Sequence, residues 1–143
     1  MGLEQSVLDE RAQNIGEAAR ASGVSAKMIR HYEAIGLVKA ARRTDAGYRV
    51  YSAQDVQVLQ FIHRGRALGF SLEQIGGLLA LWQDKQRASS DVRALAQRHI
   101  DELNRKIAEM EAMRRTLEQL ASSCHGDERS ECPILDDLAA HSM

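Results

Sequence analysis

Apolar residues between positions 14 and 82 recur at helical spacing in short runs, each bounded by a Ser, Asn or Gly able to cap or break a helix. Asn14-Ile15-Gly16-Glu17 has the form of a capping box, with Asn14 as N-cap and Glu17 reaching back, and predicts a helix to about residue 21. Ser22-Gly23-Val24 interrupts it. Ser25 can cap a second helix over about 26–35, in which Met28 and Ile29 face inward while Lys27, Arg30 and His31 face out, and Gly36 ends it. Two short helices about a Gly-containing turn make a helix-turn-helix, whose second helix enters the DNA major groove; an ordinary helical hairpin is the alternative.

The spacing then changes. Residues 39–43 and 48–51 read as two short strands about Thr44-Asp45-Ala46-Gly47, where Gly47 suits the positive φ of such a turn. Arg42, Arg43, Tyr48, Arg49 and Tyr51 crowd this hairpin, and guanidinium and phenol groups are good donors to phosphate oxygens, so it predicts a basic wing beside the recognition helix. Ser52 caps a further helix to about residue 68, Gly69 ends it, and Ser71-Leu72-Glu73-Gln74 is a second capping box opening a helix to about residue 82.

Farther on, Ala96, Ile100, Leu103, Ile107, Met110, Arg114, Leu117 and Ala121 alternate spacings of four and three, a heptad seam in which Arg114 is the polar intrusion. The expected helix over about 91–122 is roughly 48 Å long. Such a helix needs a partner for its stripe, most simply the same helix of a second chain; folding back on its own domain is the alternative. Pro133 fits the first position of a short last helix over about 134–138, with Cys132 as its N-cap.

With 143 residues the chain has room for one small domain with an appendage, and 44% hydrophobic residues argue against disorder. Six aromatics and one Pro favour long uninterrupted helices. No stretch approaches the ~18 apolar residues of a membrane span, and the charged N-terminus lacks the apolar core of a signal peptide, so a cytoplasmic location is expected. Gly2 and Ser6 fit the loose myristoylation pattern, which chance supplies as readily; residues 1–13 are read as a flexible tail. The net charge of −1 hides a segregation: residues 14–66 carry nine Lys/Arg against four acids, residues 67–143 nine against thirteen. A basic front half is the electrostatic footprint of a nucleic-acid binder, although solvated surfaces can carry a similar excess.

Both cysteines of the chain, Cys124 and Cys132, lie in one stretch with seven residues between them. Two thiolates suit a soft, two-coordinate monovalent ion such as Cu(I), whereas structural Zn²⁺ wants a full tetrahedral set. A helix N-terminus at Cys132 favours its thiolate form. Open alternatives are a regulatory disulfide, inert thiols, or a harder Zn²⁺ site completed by His125, Asp136, Asp137 or His141. No Cys-x-x-Cys and no catalytic triad or carboxylate constellation stands out, so an enzyme is not expected. The roughly twenty residues after the arm are too few for a large apolar drug pocket.

Arg30-His31-Tyr32-Glu33 followed by Gly36-Leu37, then Gly47-Tyr48-Arg49-Val50-Tyr51, then Leu68-Gly69-Phe70-Ser71-Leu72-Glu73-Gln74-Ile75, resembles the MerR family of bacterial transcriptional regulators. The resemblance implies a mainly α fold: a winged helix-turn-helix DNA-binding domain (14–82), a linker and dimerisation helix (83–122) forming an antiparallel coiled coil, and a metal-binding loop with a short C-terminal helix (123–143). It implies a homodimer on a palindromic operator that remodels promoter DNA for RNA polymerase. Matched to the family pattern, Lys27, Arg30 and Tyr32 of the recognition helix and Arg43, Tyr48, Arg49 and Tyr51 of the wing are the expected DNA contacts. The run from Cys124 to Cys132-Pro133-Ile134-Leu135 is similar to the copper-efflux, CueR-like branch, which senses Cu(I), Ag(I) and Au(I). Relatives sensing divalent ions carry a third Cys where this chain has Ser89, and a hydroxyl cannot replace that soft ligand. Rivals are a divalent-metal or thiol-redox regulator of the same family, and a copper-buffering protein without a specific DNA site.

Overall fold

The structure is a computed structural model that describes residues 12–124, 126 and 130–140. In chain order these form α1 (Ile15–Ser22), α2 (Ala26–Ala34), β1 (Arg42–Arg43), β2 (Arg49–Val50), α3 (Ala53–Ala67), α4 (Leu72–Gln83), α5 (Ser89–Ser123) and α6 (Pro133–Ala140). The chain divides at Ser89/Ser90 into two compact units.

Capping chemistry sets the helix starts of the first unit. Asn14 Oδ1 accepts from the Glu17 N–H at 2.8 Å while Glu17 Oε1 accepts from the Asn14 N–H at 3.2 Å, and Ser52/Asp55 and Ser71/Gln74 form equivalent reciprocal pairs. Ser25 caps α2 through the Met28 N–H. α1 ends at Gly23, whose φ of 81° is the left-handed value that a Cβ would strain. The Gln60 amide of α3 donates to the Ala21 carbonyl at 3.0 Å, binding the end of α1 to the third helix.

The apolar faces of these helices meet in one core of Ala18, Val24, Ile29, Tyr32, Tyr51, Val56, Leu59, Ile62, Ile75 and Leu79. Ile29, Leu59, Ile62 and Ile75 are fully buried, and each contributes about 1.5–3 kcal/mol by leaving water. A Cβ placed on Gly65 of α3 would lie 3.0 Å from Ile75 Cγ1 of α4, so glycine there permits the close approach of these two helices. Phe61 and Trp82 stack nearly parallel with ring centres 4.8 Å apart.

The wing is shorter than its sequence suggests. Its antiparallel strands pair only Arg42 with Val50 and Arg43 with Arg49. The sheet is extended from an unexpected side: Gln13 and Tyr51 exchange backbone hydrogen bonds of 2.8 and 2.7 Å. Gln13 is therefore part of the folded unit and not of a flexible tail, because its N–H and C=O satisfy the strand edge that Tyr51 would otherwise leave open. Residues 1–11, with Gly2 and Ser6, lie outside the described residues.

In the second unit α5 runs 35 residues, about 52 Å of helix axis. It starts two residues before the expected Asp91 and carries the heptad seam: Ile100, Ile107, Met110 and Leu117 are 46%, 52%, 67% and 56% exposed. Arg114 within that seam pairs with Glu118 one turn on at 3.6 Å. Pro133 opens α6, as its lack of an N–H favours, and the helix continues two residues past Leu138 to Ala140. Among the described residues no helix is long and apolar enough to cross a membrane.

Candidate functional site

The recognition helix α2 sorts its residues by helical period. Ile29 and Tyr32 point into the core, and Lys27, Arg30 and His31 stand on the solvent side at i, i+3 and i+4. Lys27 and Arg30 thus form a basic, exposed edge of the kind that can reach base edges and phosphates. Tyr32 departs from the expected DNA contact: it is 4% exposed, because its place in the helical period puts the ring among the core side chains.

The wing presents its cations at a tight turn. Thr44 and Tyr48 close it, with Thr44 N–H to Tyr48 O and Gly47 N–H to Thr44 O both 2.8 Å, and Gly47 takes φ +89°. Tyr48 is carried to the tip, 73% exposed. Arg43 and Arg49 are directly opposite across the strands and so share a face. Arg43 Nη1 donates to the Gly47 carbonyl at 2.8 Å. Arg49 is held from the other side by Glu33 of the recognition helix, Nε to Oε2 at 3.4 Å.

Tyr51, also expected at the DNA, is 3% exposed, and its hydroxyl donates to Glu33 Oε1 at 2.6 Å, so the phenol is engaged within the domain. Burial, followed by the hydrogen bond to Glu33 and that carboxylate's charge, pushes its ionisation well above the ordinary phenol range, partly offset by Arg49 and Arg30. Tyr51 thus remains a protonated donor. Sequence reasoning misses Glu33; the available signal is an acid at the inner end of an otherwise basic Arg30-His31-Tyr32 run.

The cysteines bracket the junction of α5 and α6. Cys124 immediately follows α5, its N–H donating to the Ala121 carbonyl at 3.1 Å. Cys132 immediately precedes α6, and its carbonyl accepts from the Asp136 N–H at 3.0 Å, which places Cys132 at the N-cap. Both thiols are free and half-buried. Among the described residues no group of three or more His, Cys, Asp or Glu could hold a metal ion. His125 and His141 lie outside the described residues; Asp136 is exposed and Asp137 half-buried on α6. Ser89 is the first residue of α5 and exposed.

Comparison with known proteins agrees with this architecture. Residues 14–81 match the MerR HTH family regulatory protein profile and residues 56–120 match the MerR, DNA binding profile. The chain is 59% identical over 126 residues to the Heavy metal-dependent transcription regulator 2 of Rhizobium meliloti (strain 1021), covering 88% of this chain and 86% of that protein. It is 39% identical to the HTH-type transcriptional regulator CueR of Escherichia coli O157:H7, covering 88% and 93%. Among solved structures, the transcription regulator PbrR691 from Ralstonia metallidurans CH34, in complex with Lead(II), superposes with a TM-score of 0.74 at 32% identity over 88% of this chain and 98% of that one. On its sequence, its wing and helix-turn-helix and these relatives, the chain belongs to the MerR family of helix-turn-helix transcriptional regulators.

Proposed function

We propose that this protein is a cytoplasmic, homodimeric transcriptional activator that senses Cu(I), and by the same thiolate chemistry Ag(I) or Au(I), and remodels the promoter of copper-efflux genes for RNA polymerase. The observation that carries the reading is the pair of free, half-buried thiols at the end of α5 and the N-terminus of α6, with no third soft ligand among the described residues. Similarity to heavy-metal-dependent regulators and to CueR supports a metal effector.

Cys124 and Cys132 would hold the ion, and the ion supplies a cross-link between the end of α5 and the start of α6. The N-terminal amides of α6 help carry the negative charge of a bis-thiolate. Ser89, with a hydroxyl in place of a thiolate, disfavours divalent soft ions. Lys27 and Arg30 would meet the major groove of a palindromic operator, and Arg43, Tyr48 and Arg49 the phosphates beside it. Metal biases the dimer between two conformers of the DNA complex, and so changes transcription more than affinity.

The likeness to PbrR691, whose structure holds Lead(II), favours one rival, a regulator responding to a divalent heavy-metal ion. One experiment separates them: anaerobic titration of the reduced protein with Cu(I), Zn²⁺ and Pb²⁺ against competing chelators, with coordination read by X-ray absorption. A tight Cu(I) with two sulfur neighbours per chain is expected. Tight Zn²⁺ or Pb²⁺ with additional ligands would replace the monovalent reading and bring His125 or His141 into the site.

A further inference from the structure

Glu33 is an anomaly on a surface built to meet phosphates. It sits on the recognition helix one turn after Arg30, and its side chain is 7% exposed. A buried carboxylate must be paired, and this one uses both oxygens on the wing: Oε1 accepts from the Tyr51 hydroxyl at 2.6 Å and Oε2 faces Arg49 Nε at 3.4 Å. Arg49 and Tyr51 are two residues apart along an extended segment and so lie on one face. The carboxylate therefore ties the recognition helix to the wing at two points.

We infer that Glu33 is a positioning residue for DNA binding, which holds the Arg49 guanidinium by its Nε edge so that the terminal nitrogens are directed to a phosphate; the inference rests on the DNA-binding role proposed above. A guanidinium is a rigid planar fork, so an ion pair at its Nε edge, here at 3.4 Å, favours orientations in which the terminal donors point away from Glu33. The need for such a hold is visible in the strand pairing. Arg43 and Arg49 are directly opposite, and like charges in that relation repel. Arg43 is tethered by the Gly47 carbonyl and Arg49 by Glu33, which keeps two cations side by side before DNA arrives. Arg49 is accordingly 27% exposed, far less free than a surface arginine. Preorganisation of this kind reduces the ordering cost of binding.

A sign distinguishes positioning from charge. Glu33→Gln removes a negative charge from a phosphate-binding face with little change of shape, so Coulomb attraction alone predicts tighter binding. Positioning predicts weaker binding, by about fivefold, with the slope of log affinity against log salt reduced by about 0.9 for each phosphate that is no longer neutralised. The measurement is fluorescence anisotropy on full-length protein with a duplex that the wild-type protein selects from a random-sequence pool, alongside Arg49→Ala and the double variant. Arg49→Ala should weaken binding similarly, and Glu33→Gln should add nothing in its presence. Wild-type or tighter affinity of Glu33→Gln, an unchanged salt slope, or additive losses would overturn the inference. Should Glu33→Gln fail to fold by circular dichroism, Arg49→Lys decides: it keeps the charge and loses the fork, so weaker binding supports positioning and unchanged binding refutes it. If the wild-type protein selects no duplex, the DNA-binding reading itself fails, and the inference with it.

Discussion

Single residues in the first unit divide between those that hold the core and those that face solvent, and the same residue type falls on both sides. Tyr48 is at the wing tip while Tyr32 and Tyr51 are buried, although each of the three has an arginine within two positions. Gly65 is valuable for its missing side chain: Gly65→Ala would push a methyl group against Ile75, and a loss of about 1–3 kcal/mol is expected in urea unfolding. At the surface, Arg30→Ala should relax sequence preference, whereas Arg49→Ala should weaken binding to all duplexes about equally, since one faces bases and the other a phosphate in the proposed complex. Competitive binding to selected and unrelated duplexes checks this; equal loss on both duplexes for Arg30→Ala would remove it from base readout.

At the scale of elements, the caps and the heptad seam do different work. The reciprocal Ser71/Gln74 cap satisfies α4 amides that nothing else in the helix can reach, and Ser71→Ala should lower stability by about 1 kcal/mol by thermal or urea melting. α5, by contrast, shows much of its apolar stripe to solvent in the single chain, and an isolated helix of that kind does not hold its stripe in water unaided. Placing an acid at Ile107 or Leu117 should shift the protein from dimer to monomer in sedimentation velocity, while leaving the first unit folded. Dimers persisting in both variants would show that another surface joins the chains.

For the whole molecule, the front and rear halves carry opposite charge balance, and their proposed tasks differ accordingly. With Arg43 and Arg49 of each protomer neutralising four phosphates per dimer, affinity for DNA should fall by about a hundredfold between about 50 and 200 mM salt. Cys124→Ser and Cys132→Ser should abolish copper-stimulated transcription in vitro and leave operator affinity nearly unchanged, because the thiols belong to the α5/α6 segment of the second unit and the basic residues to α2 and the wing of the first. A copper response surviving in both variants would exclude these thiols as the sensor.

How far the sequence alone reached follows from the range of the interactions involved. Helix starts were legible at Asn14, Ser25, Ser52 and Ser71 because a cap is made within three residues, and helix ends at Gly23 and Gly36 because the left-handed backbone is a local property. The paired thiols and the heptad seam were legible for the same reason: each is a spacing along one segment. Tertiary structure alone decided the rest. Tyr51 went to the core through the docking of the wing on the helices, which residue type does not reveal, whereas Tyr32 shares the buried stripe of α2 with Ile29 three positions earlier. Gln13 joined the sheet through Tyr51, 38 positions away, and Glu33 met Tyr51 across 18 and Arg49 across 16. Pairings of that separation leave no periodic mark in the chain, since each depends on how independent elements dock.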